Sequence, residues 1–281
     1  MTEADIQATI GAMKAAAQAE GADTAVGEAC APLPGAHAAV FLDIDGTLIH
    51  FADRPDAVHI DKALCELLER VRESTGGALA LISGRSIGDI DALFSPARFA
   101  AAGQHGSERR SADGTMHFHA PLAPRLAAHA STLRRLAQAH GGLLLEEKGT
   151  SLALHYRNAP HAAELAEREV RRIVELLGDD FELQAGKFVL EVKPSGKDKG
   201  TAIAEFMAEP PFAGRAPVFV GDDLTDELGF ELVNRIGGET VKVGPGPTRA
   251  RWRLGNADDV RRWLADFAAR APATNARRQS T

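Results

Sequence analysis

The sequence predicts an α/β protein: a Rossmann-like, doubly wound parallel sheet with a smaller α+β unit inserted into it. Three observations lead there. Short continuous apolar runs (Ala39-Val40-Phe41-Leu42, Ala78-Leu79-Ala80-Leu81-Ile82 and Pro217-Val218-Phe219-Val220) alternate with stretches of helical periodicity, as strands buried on both faces do. Each run stops abruptly at a polar cluster. Between the second and third runs the pattern changes to hairpin-like strand pairs, each followed or preceded by a helix, which implies an antiparallel sheet with helices on one face.

The elements follow in order. After the first run, Asp61 is placed to cap a helix carrying Leu64, Leu67, Leu68 and Val71. A short helix with Ile87, Ile90, Leu93 and Phe94 follows the second run. From about Ser111 to Val192 the helices carry Leu126, Leu133 and Leu136, then Leu165, Val170, Ile173, Val174 and Leu177. Strands are expected at Leu143–Leu145, Ser151–Arg157, Phe181–Gln184 and Phe188–Val192. Lys199-Gly200 opens the next helix. Val241-Lys242-Val243 is a further strand, and Val260, Trp263, Leu264 and Phe267 mark the last helix. The expected organisation is an N-terminal helical or flexible extension at 1–35, a discontinuous core at 36–110 and 193–270, a cap at 111–192 and a flexible tail at 271–281. Pro194-Ser195-Gly196 and the region of Ser111 are the expected hinges.

Composition bounds the function. Of 281 residues, 39 are acidic and 32 basic, a net charge of −7 that argues against a dedicated nucleic-acid binder. Aromatic residues make up 5%, too few for a base-stacking platform. No apolar run approaches the ~20 residues of a membrane span, and the Ala-rich start lacks the pattern of a secretory signal. Cys30 and Cys65 form neither a disulfide framework nor a zinc cluster, so a cytoplasmic location is expected.

The polar clusters carry the chemistry. Asp43/Asp45, Ser83/Arg85 and Asp222/Asp223 stand at the carboxyl ends of three strands, where open α/β sheets bind ligands. If the strands are neighbours, several carboxylates meet and repel, and a hard divalent cation resolves the conflict. An all-oxygen donor set suits Mg²⁺. Asp43 and Asp222 are assigned as direct ligands, with Asp45 through its backbone carbonyl as a candidate third. Asp223 either orients a metal-bound water or caps the next helix. Ser83, Arg85 and the backbone amides of Gly46 and Thr47 are expected to cradle a phosphate, and Lys199 adds a cation at a helix start. Lys193 and Lys197 compete with Lys199 for that role. Ser83 has a second reading as a helix cap, and Thr225-Asp226-Glu227 reads as an acidic first helical turn. Asp43 is positioned to attack phosphorus, and Asp45 to protonate the leaving alcohol and then activate water.

Asp43-Ile44-Asp45-Gly46-Thr47, Ser83-Gly84-Arg85, Lys199-Gly200 and Gly221-Asp222-Asp223, in this order, resemble the haloacid dehalogenase phosphatase superfamily. The resemblance implies an Asp nucleophile, an Asp acid/base two residues later, Mg²⁺ and a cap inserted into a split core. Gly103-Gln104-His105-Gly106-Ser107-Glu108, Glu146-Glu147-Lys148-Gly149, Ser151 to Arg157, Glu191-Val192-Lys193-Pro194 and Gly221-Asp222-Asp223-Leu224-Thr225-Asp226-Glu227 further resemble trehalose-6-phosphate phosphatases, over about Ala39 to Leu264. That resemblance implies hydrolysis of trehalose 6-phosphate, with Glu146, Lys148 and Glu191 as cap contacts to the sugar and His105 and Gly106 lining the core side. Gln104 departs from the pattern, where the family more often has a small polar residue. Competing readings are a related sugar-phosphate phosphatase or phosphomutase, and a non-catalytic sugar-phosphate-binding module. Structural roles for His105, and surface ion pairs for Glu146, Lys148 and Glu191, are the plainer alternatives.

Overall fold

A computed structural model of the chain describes residues 31–35, 37–50, 60–118, 123–186 and 188–270. The expectations for residues 1–30 and 271–281 lie outside the described residues. Twelve strands are described: β1 Ala38–Leu42, β2 Leu79–Ile82, β3 Ala100–Gly103, β4 Glu108–Arg110, β5 Met116–Phe118, β6 Leu144–Glu147, β7 Leu152–His155, β8 Phe181–Gly186, β9 Val189–Pro194, β10 Ala216–Gly221, β11 Glu239–Val243 and β12 Trp252–Leu254. The α-helices are α1 Lys62–Ser74, α2 Ile87–Phe94, α3 Ala123–Ala139, α4 Ala163–Leu177, α5 Lys199–Met207, α6 Glu227–Arg235 and α7 Ala257–Arg270.

The strands form two sheets. The larger has the order β12-β11-β10-β1-β2-β3-β4-β5 and is parallel from β12 to β3. Every residue of β1 is buried, which explains its unbroken apolar character. Its side chains alternate between two cores. Val40 and Leu42 meet Leu64, Leu68 and Val71 of α1 and Val260, Leu264 and Phe267 of α7. Ala39 and Phe41 meet Ile203 and Phe206 of α5 and Phe230 and Val233 of α6. The α/β class and the mainly parallel sheet are as the sequence predicts.

The smaller sheet, β6-β7-β9-β8, is antiparallel throughout. One face packs on α3 and α4 through Leu152, Leu154, Leu190 and Val192 against Leu126, Leu133, Val170, Ile173 and Leu177. Residues paired across neighbouring strands share a face. The pairs Glu146–Ala153, Ala153–Glu191 and Glu191–Gln184 therefore line up as one row across all four strands, with the small Ala153 between two glutamates.

The structure differs from the sequence reading at one crossing. Met116–Phe118, read as part of the middle unit, pairs with β4 and forms the edge of the larger sheet. The segment near Ser111, expected as a hinge, is a hairpin turn: the Ser111 N–H donates to the Thr115 carbonyl, and the Gly114 N–H to the Ser111 carbonyl. Strands β3, β4 and β12 add to the expected set. No helix among the described residues is long and apolar enough to cross a membrane.

Candidate active site

The three polar clusters converge because their strands are adjacent. In the order β10-β1-β2, Leu42 pairs with both Val220 and Leu81, so Asp43, Gly221-Asp222 and Ser83 leave the sheet at nearly one level. The Asp43 N–H donates to the Val220 carbonyl, which continues the ladder by one residue and fixes the carboxylate at the strand tip.

Lys199 is the hub. Asp198 caps α5 by accepting from the Thr201 N–H, and this sets Lys199 on the first turn. Its Nζ donates to Asp43 Oδ1 and to Asp226 Oδ1, both at 2.6 Å, and all three side chains are buried. Burial disfavours the ammonium, but Asp226 and Asp43 outweigh it and hold Lys199 charged well beyond its ordinary range. The competing lysines are engaged elsewhere. Lys193 bonds Glu182 at 2.8 Å, and Lys197 bonds Glu205 at 2.6 Å.

Asp226 is the residue to which the sequence reading, though it singled out the stretch 221–227, gave no site role. It is fully buried, and its Oδ2 accepts from the N–H groups of Asp222 and Asp223 at 2.9 Å. Only glycine permits this approach from β10, since a Cβ on Gly221 would lie 2.3 Å from the Asp226 carboxyl carbon. The readable signal was the four-residue spacing from Asp222 to Asp226, which brings both back to one side of a tight turn. Thr47 Oγ1 donates to Asp222 Oδ1 at 3.2 Å, and Lys242 Nζ donates to the Asp222 carbonyl.

Asp43, Asp222 and Asp226 each offer a carboxylate oxygen within 4.8 Å of the others. Burial raises the pKa of Asp43 well above the ordinary carboxylate range; Asp226 and Asp222 add to the rise, and Lys199 offsets part of it. Burial, then Asp226, push Asp222 up to about 6, with partial relief from Lys199. A buried, oxygen-only cluster with this excess of negative charge fits a hard metal ion. Of the two readings for Asp223 the structure shows the cap, and for Asp45 only the backbone carbonyl is left as a candidate ligand. Asp223 caps the Leu224–Asp226 turn, its Oδ1 accepting from the Leu224 N–H at 2.7 Å, and stands outside the cluster. The Asp45 carboxylate also stands outside it, because Arg85 takes both oxygens: Nε to Oδ2 at 2.7 Å and Nη2 to Oδ1 at 2.6 Å.

One phosphate-cradle expectation changes, and so does the alternative reading of Ser83 as a helix cap. The Gly46 and Thr47 amides close their own tight turn, donating to the carbonyls of Ile49 and Ile44. Gly46 makes that turn at φ 83°, a conformation costly for other residues. Ser83 is buried, its Oγ accepting from the Arg85 N–H at 3.1 Å, and it is not the helix cap; Ser86 caps α2.

The smaller sheet brings its row of acids to the same place. Glu191 is buried, accepts from Ser151 Oγ at 2.5 Å, and lies 3.4 Å from Lys148 Nζ and 3.6 Å from His105 Nε2. Lys148 Nζ also reaches the Gly84 carbonyl at 3.5 Å. Burial lowers the His105 pKa below its ordinary value, with partial relief from Glu191. Burial alone would raise Glu191, but the His105 hydrogen bond, Lys148 and Ser151 outweigh it and hold Glu191 well below the usual range. His105 Nδ1 is buried without a partner among the described residues. Its ring packs over Gly84, where a Cβ would come within 2.8 Å of Nε2. Gly106 follows at φ 96°, pressed against the Asp198 carbonyl. Glu146 is half-exposed and bonds His155 Nε2 at 2.9 Å, a contact that outweighs burial and lowers its pKa.

Comparison with known proteins agrees with this geometry. The family model for trehalose-phosphatase matches residues 41–255. The trehalose-6-phosphate phosphatase of Escherichia coli (strain K12) is 47% identical over 227 residues, 80% of this chain and 84% of that protein. A solved structure described as a trehalose-6-phosphate phosphatase related protein superposes with a TM-score of 0.70 at 25% identity, covering 82% of this chain and 96% of that one. A haloacid dehalogenase-like hydrolase from Bacteroides thetaiotaomicron shares the fold, with a TM-score of 0.59 at 16% identity over 81% of this chain and 98% of its own. With the strand-tip acids, the Lys199 hub and this match over most of its length, the chain belongs to the trehalose-phosphatase family.

Proposed function

We propose that this chain hydrolyses trehalose 6-phosphate to trehalose and inorganic phosphate through a phosphorylated Asp43. The observation that carries the reading is the meeting of Asp43, Asp222, Asp226 and Lys199 at adjacent strand tips, facing the Glu191–Lys148 pair of the smaller sheet. The chain is a phosphoric monoester hydrolase of its family, and the family match supports the disaccharide.

The steps follow from the residues. An Asp43 oxygen attacks phosphorus while the bond from phosphorus to the sugar oxygen breaks, and Asp45 gives its proton to that oxygen. Asp45, now a carboxylate, takes a proton from water. The water oxygen attacks phosphorus, the bond to Asp43 breaks, and phosphate leaves. The Arg85 fork grips both Asp45 oxygens and fixes where the carboxyl group stands. For the first step Asp45 has to give up one of the two bonds. Lys199 steadies the Asp43 carboxylate and the charge gathering near it. Ser83 is assigned a hydrogen bond from its hydroxyl to a phosphate oxygen. Asp43, Asp222 and Asp226 would hold Mg²⁺, which when bound neutralises the acidic cluster and polarises a phosphoryl oxygen.

The smaller sheet acts in this reading as a cap, with Glu146, Lys148, Glu191 and His105 as partners for sugar hydroxyls. The strand pairing supports a first crossing into the cap after Phe118 and a return by Pro194-Ser195-Gly196. Cys65 carries no disulfide, which suits the cytoplasm.

The test is phosphate release from trehalose 6-phosphate and from a panel of other sugar phosphates, with and without Mg²⁺. Preference for the disaccharide ester supports the reading; a preferred monosaccharide ester, or no turnover with metal, overturns it. Glu191→Ala is expected to weaken use of trehalose 6-phosphate by about 10-fold or more while preserving hydrolysis of p-nitrophenyl phosphate. Equal losses on both esters would remove Glu191 from sugar recognition.

Metal binding should follow the acids. With Asp222 raised to about 6, protons compete with a cation for its oxygens. Calorimetric Mg²⁺ affinity is therefore expected to be several-fold weaker at about pH 5 than at about pH 8. Equal affinities would mean that the ion does not use this cluster.

A further inference from the structure

We propose that Gln104 and Thr150 form a latch that sets the closed position of the cap, with Gln104 as a positioning residue for Lys148 and Glu191. This rests on the proposed function only in taking those two residues as sugar contacts.

Gln104 is buried and sits at φ 47°, the first of three consecutive left-handed residues. Glutamine has no intrinsic preference for that conformation, so its surroundings impose it, and strain of this kind gathers at working positions. Its N–H donates to the Arg85 carbonyl at 2.9 Å, and the next N–H, of His105, donates to the Ser83 carbonyl at 3.1 Å. The backbone of Gln104 is thus fastened to the loop that carries Ser83 and Arg85.

The side chain points the other way in function. Glu108 Oε1 accepts from the Ile87 N–H at 2.6 Å and from Gln104 Nε2 at 3.3 Å. An acceptor on that side fixes the amide, so its oxygen must face outward. There Gln104 Oε1 accepts from both Thr150 Oγ1 and the Thr150 N–H. Thr150 lies in the turn between β6 and β7, two residues after Lys148 and next to Ser151, which holds Glu191. The turn is therefore fastened to the larger sheet twice, by Lys148 on the Gly84 carbonyl and by Thr150 on Gln104. Loss of the second fastening frees Lys148 and Ser151 to move together and leaves the amide oxygen of the buried Gln104 short of a donor.

The test compares Thr150→Val, Thr150→Ser, Gln104→Met and the double variant Thr150→Val/Gln104→Met. Thr150→Val and Gln104→Met are expected to raise KM for trehalose 6-phosphate about five-fold, with kcat within about two-fold. Hydrolysis of p-nitrophenyl phosphate, too small to need the closed cap, is expected to be unchanged. Thr150→Ser keeps the hydroxyl and the parental KM, and the double variant is no worse than the worse single one. Hydrogen exchange of residues 144–155 in the substrate-free protein is expected to speed up in Thr150→Val and Gln104→Met but not in Thr150→Ser. Additive effects in the double variant, equal losses on both esters, or unchanged exchange would each overturn the latch. The exchange measurement needs no turnover, so it reports on the latch even if trehalose 6-phosphate proves not to be the substrate.

Discussion

Asp43→Asn is expected to abolish phosphate release while leaving the fold intact. The amide keeps the shape of the carboxylate, and its oxygen still accepts from Lys199, which retains Asp226 as a charged partner. What it removes is the anionic oxygen that bonds phosphorus in the proposed reaction. Without that bond the reaction has no phosphorylated intermediate to divide it into two easier steps, and a fall of about 10⁴-fold or more in kcat is expected. Phosphate release at saturating substrate measures it, with a thermal melt to show that the protein is folded. Turnover retained within about 10-fold would mean that water attacks phosphorus directly and that Asp43 serves only as a metal ligand.

The second large effect concerns stability. Lys199→Met is expected to destabilise the protein by about 3–5 kcal/mol, because it strands the carboxylates of Asp43 and Asp226, with side-chain exposures of 6% and 0%. For a chain of this size that is roughly 6–20 °C in Tm. The sign with pH is set by the acids. Burial already raises the pKa of Asp43, and without the ammonium nothing offsets that rise. An acid whose folded pKa lies above its unfolded value contributes least at high pH, where burial of its charge must be borne. The deficit of the variant is therefore expected to be larger at about pH 8 than at about pH 5, and Mg²⁺ is expected to restore part of it. A melting temperature unchanged across that range would show that Lys199 is not the counter-charge of the cluster.

The central strands were legible because both their faces are buried, which writes them as continuous apolar runs closed by acids. The same rule hid β3 and β4. Ala100–Gly103 has no β-branched residue, and its strand state is imposed by pairing with β2. Glu108–Arg110 is charged and reads as surface, yet it is buried: Arg109 is matched by Glu205 and Glu209, and Arg110 by a fork onto Asp91. Partners that distant in sequence leave no local signal. Asp43, Lys199 and Asp222 could be found because each stands at an element boundary. Asp226 looked like an ordinary acid of a first helical turn. Its inward direction depends on the absence of a side chain at Gly221 and on two backbone amides ahead of it. Arg85 was read as a phosphate ligand because its type suits one, and only coordinates show that Asp45 claims its fork.

Among the described residues, the apolar interior beneath the row of Glu146 and Glu191 draws only on residues 126–192 and shares none with the two interiors that flank the larger sheet. Side chains packed within one interior can therefore change without repacking the other. If the smaller sheet selects the sugar as proposed, a lineage can rework which hydroxyl pattern it admits while the bond-breaking half is inherited intact, and a protein engineer can exchange the smaller sheet and its helices between relatives with the chemistry held constant.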